Sequence, residues 1–550
     1  MCTNKIDKGI KEKRPNKTTK ILKGMAFNML KHAFLFFRYY LDVALDLVFS
    51  FVWDGERQAI PDLDARHAML AESAVELAKR IRNRALKSEE LVRACVERIQ
   101  AVNPVLNAVV DQRFDEALKE AREIDKQIEN GLPDQYFEQK PFLGVPFTAK
   151  ESHAVAGLLH PLGISHRANV RATEDAECVR LLKAAGAIAV AVTNVPEINK
   201  WQETRNMVFG QTRNPYHTGR TVGGSSGGEA ALHAALATPI SLCSDIGGST
   251  RMPAFYCGLF ALNPTAGYTS LKGSALRTGL DPTMASIGFM SKHVEDLAPL
   301  TKVVAADKAK ELGLDREVDL KNVKVYYVET AQDLRVSPIS AELRQAMNQV
   351  VAKLSDVSRL TACAPQPYYH RGFDHMFALW KHAMTKETEN FPRMLTNNKG
   401  EAHGLTELGK KLIGTSPYTL AAILKLLDEQ VLPPVNAEWA DALTAKMVED
   451  LTTVLGDSGV LLFPSAPMVA PYHYSLLLRP FNFAYWGVLN AIKFPAVQVP
   501  LGLNAHGVPL GVQVVAAPRR EALCLAAARL LRERLPHAGY GYKPPCRVTH

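Results

Sequence analysis

The sequence predicts an α/β body around a largely buried sheet, and three observations carry that prediction. Short apolar runs at 143–149, 187–193, 240–244, 460–463, 496–501 and 511–515 alternate with stretches of helical spacing, the pattern of strands covered by helices. Capped helix starts precede the first of these runs. The apolar fraction of 47% and charged fraction of 22% are those of a folded chain, so global disorder is excluded. A length of 550 residues fits two or three average domains, or one large α/β domain. We read residues 1–65 as a leader and 66–550 as the body.

The leader is basic and apolar. Lys5, Lys8, Lys11, Lys13, Arg14, Lys17, Lys20 and Lys23 outnumber Asp7 and Glu12 and supply much of the net charge of +9. Such a basic tail ahead of an apolar run points to anionic lipid rather than to nucleic acid. From 21 to 52 the chain is rich in Leu, Phe, Val and Met, yet Lys31, Arg38, Asp42 and Asp46 interrupt it. That pattern suits helices lying in a membrane interface or a tilted anchor, with a helix packed on the protein's own body as the alternative. No compact apolar core with a small-residue cleavage site marks a secretory signal. The eight cysteines are scattered without a C-x-x-C pair, so they read as reduced thiols of a cytosol-facing protein, with neither a disulfide framework nor a zinc site.

In the body, Ser73-Ala74-Val75-Glu76 and Ser88-Glu89-Glu90 each place a cap ahead of apolar positions at helical spacing. Asn103-Pro104 is expected to stop the second helix. A third helix is expected over 114–130, ended by Gly131-Leu132-Pro133. The region 305–455 reads as mostly helical.

Three elements carry chemistry. Gly223-Gly224-Ser225-Ser226-Gly227-Gly228 runs into a helical pattern. Asp245-Ile246-Gly247-Gly248-Ser249-Thr250-Arg251 follows an apolar run. Lys150 ends Gly144-Val145-Pro146-Phe147-Thr148-Ala149-Lys150-Glu151. A glycine-rich loop alone is most often a turn or an anion site at a helix start. No Lys-Ser/Thr follows the glycines as a Walker loop requires, and G-x-G-x-x-G is absent. Gly223 to Gly227 does satisfy G-x-S-x-G, but that nucleophile elbow needs a strand before it, and Thr218-Gly219-Arg220-Thr221-Val222 is a poor one. Taken together, the elements offer a serine nucleophile at Ser249 whose glycine-flanked backbone N–H groups can face a developing oxyanion. Lys150 can serve as a base if burial beside Val145 and Phe147 lowers its pKa, an effect Glu151 opposes if its carboxylate points at the amine.

These elements, in this order, resemble the amidase signature family. The resemblance covers about 70–300 and resumes at Phe494-Pro495-Ala496-Val497 and Gly507-Val508-Pro509-Leu510. Within the family, Thr193-Asn194-Val195-Pro196-Glu197, Trp201-Gln202-Glu203-Thr204 and Arg251-Met252-Pro253-Ala254-Phe255 are similar to the membrane-bound fatty-acid amide hydrolase branch. The resemblance implies a mixed, twisted sheet covered by helices on both faces. It makes Ser249 the nucleophile, Ser225 the relaying serine of a cis peptide and Lys150 the general base. It makes Ile246, Gly247, Gly248 and Ser249 the oxyanion hole, with Ser226, Asp245 and Arg251 as loop supports. It implies a serine hydrolase of fatty-acid amides working through an acyl-enzyme, with no metal or organic cofactor. An esterase, a soluble-type amidase or a catalytically impaired membrane-bound scaffold of the same fold are the alternatives. The partners expected are a lipid amide substrate and a membrane surface or bilayer, without nucleic acid, and a homodimer is left open. Met376-Phe377-Ala378-Leu379-Trp380 is expected to help line an acyl pocket. The chain departs from the family pattern at Asn263-Pro264-Thr265, across 156–163, and at Ala230 and Cys243, where glycine is usual.

Overall fold

The computed structural model describes residues 17–356, 363–533 and 541–548; the tail lysines from Lys5 to Lys13 and Arg14 lie outside them. Eleven strands form one sheet: β1 (Val109–Gln112), β2 (Pro146–Lys150), β3 (Ile188–Thr193), β4 (Ile240–Asp245), β5 (Phe260–Asn263), β6 (Ser286–Ser291), β7 (Lys324–Tyr327), β8 (Gln366–Pro367), β9 (Gly459–Pro464), β10 (Ala496–Leu503) and β11 (Pro509–Ala516). Their spatial order is β1-β3-β2-β4-β6-β5-β10-β11-β9-β7-β8. Strand β2 runs parallel to β3 and to β4, whereas β4 and β6, and β10 and β11, are antiparallel, so the sheet is mixed. Every residue of β2, β3, β6 and β9 is buried, which is why β2, β3 and β9 read as continuous apolar runs rather than alternating ones.

The first helices show where local signals held and where tertiary contacts overrode them. Ser73 caps helix Ala74–Arg82 by accepting from Glu76 N–H at 3.1 Å. Ser88, expected as the next cap, is instead the first helical residue. The cap is Asp125, whose two carboxylate oxygens accept from the N–H groups of Ser88 and Glu89 at 2.7 and 2.9 Å. Ser88 turns its hydroxyl to Gly144 O at 2.8 Å, tying the helix to the strand that delivers Lys150. Pro104 does not stop this helix, which continues from Ser88 to Leu106. It ends where Asn107 turns left-handed, while Asn103 Oδ1 accepts from the N–H groups of Ala108 and Val109. Helix Phe114–Glu129 follows as expected. The region 305–455 holds helices such as Ala437–Leu455 and also β7 and β8 at the sheet edge.

The described part of the leader is mostly one helix, α1 (Lys17–Trp53). Its inner side is fixed to the body by polar contacts. The fully buried Arg479 donates from Nε to Asp42 Oδ1 at 2.9 Å and from a terminal nitrogen to Asp46 Oδ1 at 2.6 Å, and Lys31 pairs with Asp374 at 3.0 Å. Trp53 stacks on Tyr474 with ring centroids 5.8 Å apart. Its outer side leaves Phe36, Phe37 and Phe51 65%, 65% and 82% exposed. Among the described residues no helix is long and apolar enough to cross a membrane.

Candidate active site

Because β2, β3 and β4 are parallel neighbours, their carboxyl ends open on one edge of the sheet, the usual place for a site in such sheets. Strand β2 delivers Lys150 there, β4 delivers Asp245 and the loop to Ser249, and the segment after β3 brings 194–204. The serine loop 223–226 lies between these ends and starts helix Gly227–Ala234. No strand runs directly into it, so the loop is not a nucleophile elbow. The Gly224–Ser225 peptide bond is cis. Ser226 N–H donates to Ser249 O at 3.2 Å and fastens the two loops together.

Lys150 Nζ donates to Ser225 Oγ at 2.7 Å and to Ser244 Oγ at 3.3 Å. The amine is buried, and burial pushes its pKa down from 10.5 to about 8, against smaller opposing effects of Cys243, Asp245 and Glu151. Glu151 does not face the amine. Its carboxylate accepts from the N–H groups of Leu162 and Gly163 at 3.0 and 2.7 Å. The departing segment 156–163 is thus the partner that turns Glu151 away from Lys150.

The Ser249 loop is held by a buried ion pair. Asp245 and Arg251 are both fully buried; Arg251 donates to the two carboxylate oxygens at 3.0 and 3.1 Å and reaches Gln513 and Asn490 at 2.8 and 2.7 Å. Burial alone would raise the Asp245 carboxyl, but Arg251 and the loop N–H groups outweigh it and hold it below its ordinary range. One of those groups is Gly248 N–H, which donates to Asp245 Oδ1 at 2.7 Å. Gly248 therefore differs from its expected place in an oxyanion hole: its N–H points inward to the carboxylate. Among the described residues, none of the N–H groups of Ile246, Gly247 and Ser249 is matched to an acceptor. Gly248 has φ +113°, and a Cβ there would sit 2.5 Å from Trp486 Cβ, so glycine is required. The indole N–H of Trp380 donates to Ile246 O at 2.9 Å, a clamp that sequence spacing could not show.

Two cavities meet at Ser249. The larger, of about 460 Å³, is walled by apolar side chains including Met252, Phe377, Trp380, Leu427, Phe481 and Phe483. From the segment expected to line a pocket, Phe377 and Trp380 face this cavity, whereas Met376 and Leu379 are fully buried. The smaller, of about 30 Å³, contains Lys150, Ser225 and Ser249 together with Lys200, Arg277 and Glu389. The last three were not singled out from the sequence, since no motif joins residues so far apart. Ala230 and Cys243 fill the core behind the loops and do not reach either cavity. Asn263 closes β5, and Thr265 donates through its N–H and hydroxyl to Glu521.

Residues 90–525 match the amidase family. The chain belongs to that family. The amidase is 39% identical over 477 residues to fatty-acid amide hydrolase 2 of Homo sapiens, covering 84% of this chain and 89% of the human protein. It is 28% identical over 480 residues to an acylamidase of Rhodococcus erythropolis, covering 83% of this chain and 94% of that one. Its fold is that of 6-aminohexanoate cyclic dimer hydrolase solved with its substrate, at TM-score 0.69 and 23% identity over 86% of this chain and 99% of the other. A solved fatty acid amide hydrolase superposes at TM-score 0.66 and 21% identity over 85% of each chain. The amidase is accordingly an amide-cleaving hydrolase.

Proposed function

We propose that this amidase hydrolyses fatty-acid amides at a membrane surface through Ser249, Ser225 and Lys150. The observation that carries the reading is the 2.7 Å hydrogen bond between buried Lys150 and Ser225, in the chamber that holds Ser249 at the foot of an apolar cavity. Neutral Lys150 takes the Ser225 proton as Ser225 takes that of Ser249. Ser249 Oγ then bonds to the amide carbonyl carbon, and the N–H groups of Ile246, Gly247 and Ser249 receive the oxyanion. The C–N bond breaks as the relay returns the proton to the leaving nitrogen. Water next adds to the acyl-enzyme by the reverse path, giving free fatty acid and amine and restoring Ser249. The apolar wall of Phe377, Trp380 and Phe481 suits an acyl chain. The outward apolar side of α1 suits a helix lying in the lipid interface. The relatives include an acylamidase and other amidases as well as fatty-acid amide hydrolase 2, so the acyl chain is the point to test. In detergent, the protein is expected to release oleic acid from oleamide and to label at Ser249 with a fluorophosphonate. Loss of both in Ser249→Ala supports the reading; labelling without any oleoyl amide turnover rejects the lipid substrate.

A further inference from the structure

The loop around Arg479 belongs to the larger apolar cavity and to the leader at once. Leu477, Pro480, Phe481 and Phe483 line the cavity, while Arg479, in their midst, is fully buried and does not. Its guanidinium is spent on α1. Nε donates to Asp42 Oδ1 at 2.9 Å, one terminal nitrogen to Asp46 Oδ1 at 2.6 Å and the other to Asp42 O at 2.6 Å. From the body, among the described residues, the guanidinium meets only Met468 Sδ at 3.3 Å. Arg38 also pairs with Asp42, at 3.4 Å, so two guanidinium groups face two carboxylates and the clasp is balanced. The adjoining wall is tied to the same helix. Lys31 pairs with Asp374 at 3.0 Å, directly before helix Met376–Met384, which carries Phe377 and Trp380. The two walls interlock through their rings: Phe377 and Phe481 centroids lie 4.2 Å apart, and those of Trp380 and Phe483 4.5 Å apart. The body holds the loop by other bonds. Gln202 donates to Pro480 O at 2.7 Å, and Asn482 Oδ1 accepts from Ser337 N–H at 2.8 Å. Without Asp42 and Asp46 a fully buried guanidinium would be stranded. The body from 66 onward is therefore not self-contained: side chains of the leader complete the wall of its cavity.

We propose that Arg479 is a positioning residue for acyl-chain recognition: clasped to Asp42 and Asp46 of α1, it sets Leu477, Pro480 and Phe481 against Phe377, so that the leader helix takes part in selecting a long acyl chain over a short one. The inference rests on the reading of Ser249 as the nucleophile of a fatty-acid amide hydrolase. An oleoyl chain needs the length of the cavity, whereas an octanoyl group needs only the part nearest Ser249. Loosening the wall therefore weakens the grip on the long chain and leaves the reacting end in place.

The test measures kcat and KM for oleamide and octanamide in detergent, with fluorophosphonate labelling of Ser249 as the control for an intact site. Arg479→Met removes the guanidinium but leaves Asp42 on Arg38 and Asp46 with 40% of its side chain exposed, so neither carboxylate is stranded. It is expected to lower the oleamide-to-octanamide ratio of kcat/KM by about tenfold, the scale of roughly two methylene groups taken out of contact. The change is expected in KM for oleamide, in protein that still labels. Arg479→Lys, which keeps a charge for one carboxylate, is expected to restore part of the ratio. An unmoved ratio in protein that labels overturns the positioning role and leaves the hydrolase standing. An equal loss on both amides overturns it too, since the clasp then serves the fold and not the chain. If Arg479→Met does not label, the ratio in Arg479→Lys decides in the same way. Wild type that neither labels nor cleaves either amide overturns the hydrolase reading as well.

Discussion

Lys150 Nζ and Ser225 Oγ stand 2.7 Å apart in a buried chamber, while Glu151, the next residue along, points its carboxylate at the backbone of Leu162 and Gly163. That separation sets the pH behaviour. A base works only when unprotonated, and burial places the Lys150 amine at about 8. We expect kcat/KM for an oleoyl amide to rise about tenfold per pH unit below that value and to level off above it. A flat profile between pH 6 and 8 in the wild type rules out Lys150 as the base.

The same burial has a cost in stability, and its sign can be worked out. The Lys150 pKa falls from 10.5 in the unfolded chain to about 8 in the fold. The unfolded state therefore binds the extra proton, and stability rises as pH climbs from about 8 to 10.5. Below that window the penalty is complete, at most about 3 kcal/mol. Lys150→Met removes it, so the variant is expected to be inactive yet more resistant to urea at pH 7 and to lose that advantage near pH 10.5. Equal midpoints at pH 7 mean the lysine is accommodated without strain on the fold.

Asp245 and Arg251 give the opposite result. Both are fully buried, so removing one charge strands the other. Asp245→Ala is expected to cost about 3–5 kcal/mol in urea unfolding and to abolish labelling of Ser249, whose loop loses its anchor. Replacing both residues with apolar ones restores part of the stability but not the labelling. If the double variant labels normally, the pair does not hold the loop.

Trp380 separates packing from hydrogen bonding. Its indole N–H donates to Ile246 O at 2.9 Å and its ring walls the larger apolar cavity. Trp380→Phe keeps an aromatic wall and releases the carbonyl. We expect kcat to fall by about tenfold with little change in KM, because the loss affects the loop proposed to receive the oxyanion rather than chain binding. A rise in KM alone would assign Trp380 to the acyl wall only.

The sequence was most legible where chemistry and periodicity coincided locally. Lys150 at a strand end, Ser225 among glycines and Ser249 after an apolar run are each short-range patterns, and six apolar runs became strands of one sheet. Strands β1, β5, β6, β7 and β8 are not legible for identifiable reasons: β6 reads Ser-Ile-Gly-Phe-Met-Ser, with polar ends and a central glycine, β1, β5 and β7 are four residues long, and β8 is two. Pro104 misled because Asn103 caps the helix end beyond it. Lys200, Arg277 and Glu389 meet only after the sheet and the helical region have packed, and no local pattern foretells a pair 189 residues apart.

The leader offers the last test. Arg479 fixes the inner side of α1 through Asp42 and Asp46, so the helix cannot roll its apolar residues inward without stranding a fully buried guanidinium. Phe36, Phe37 and Phe51 are therefore committed to the outside, 65%, 65% and 82% exposed. In water that surface is unfavourable by roughly 25 cal/mol per Å², whereas in an interface its burial draws the protein onto lipid. A Phe36→Ser, Phe37→Ser, Phe51→Ser variant is expected to keep its thermal midpoint, since none of the three is buried in the body. It is expected to lose at least about tenfold in co-flotation with phosphatidylcholine vesicles. Unchanged flotation would place the contact elsewhere. A fallen midpoint would instead show that these rings stabilise the fold.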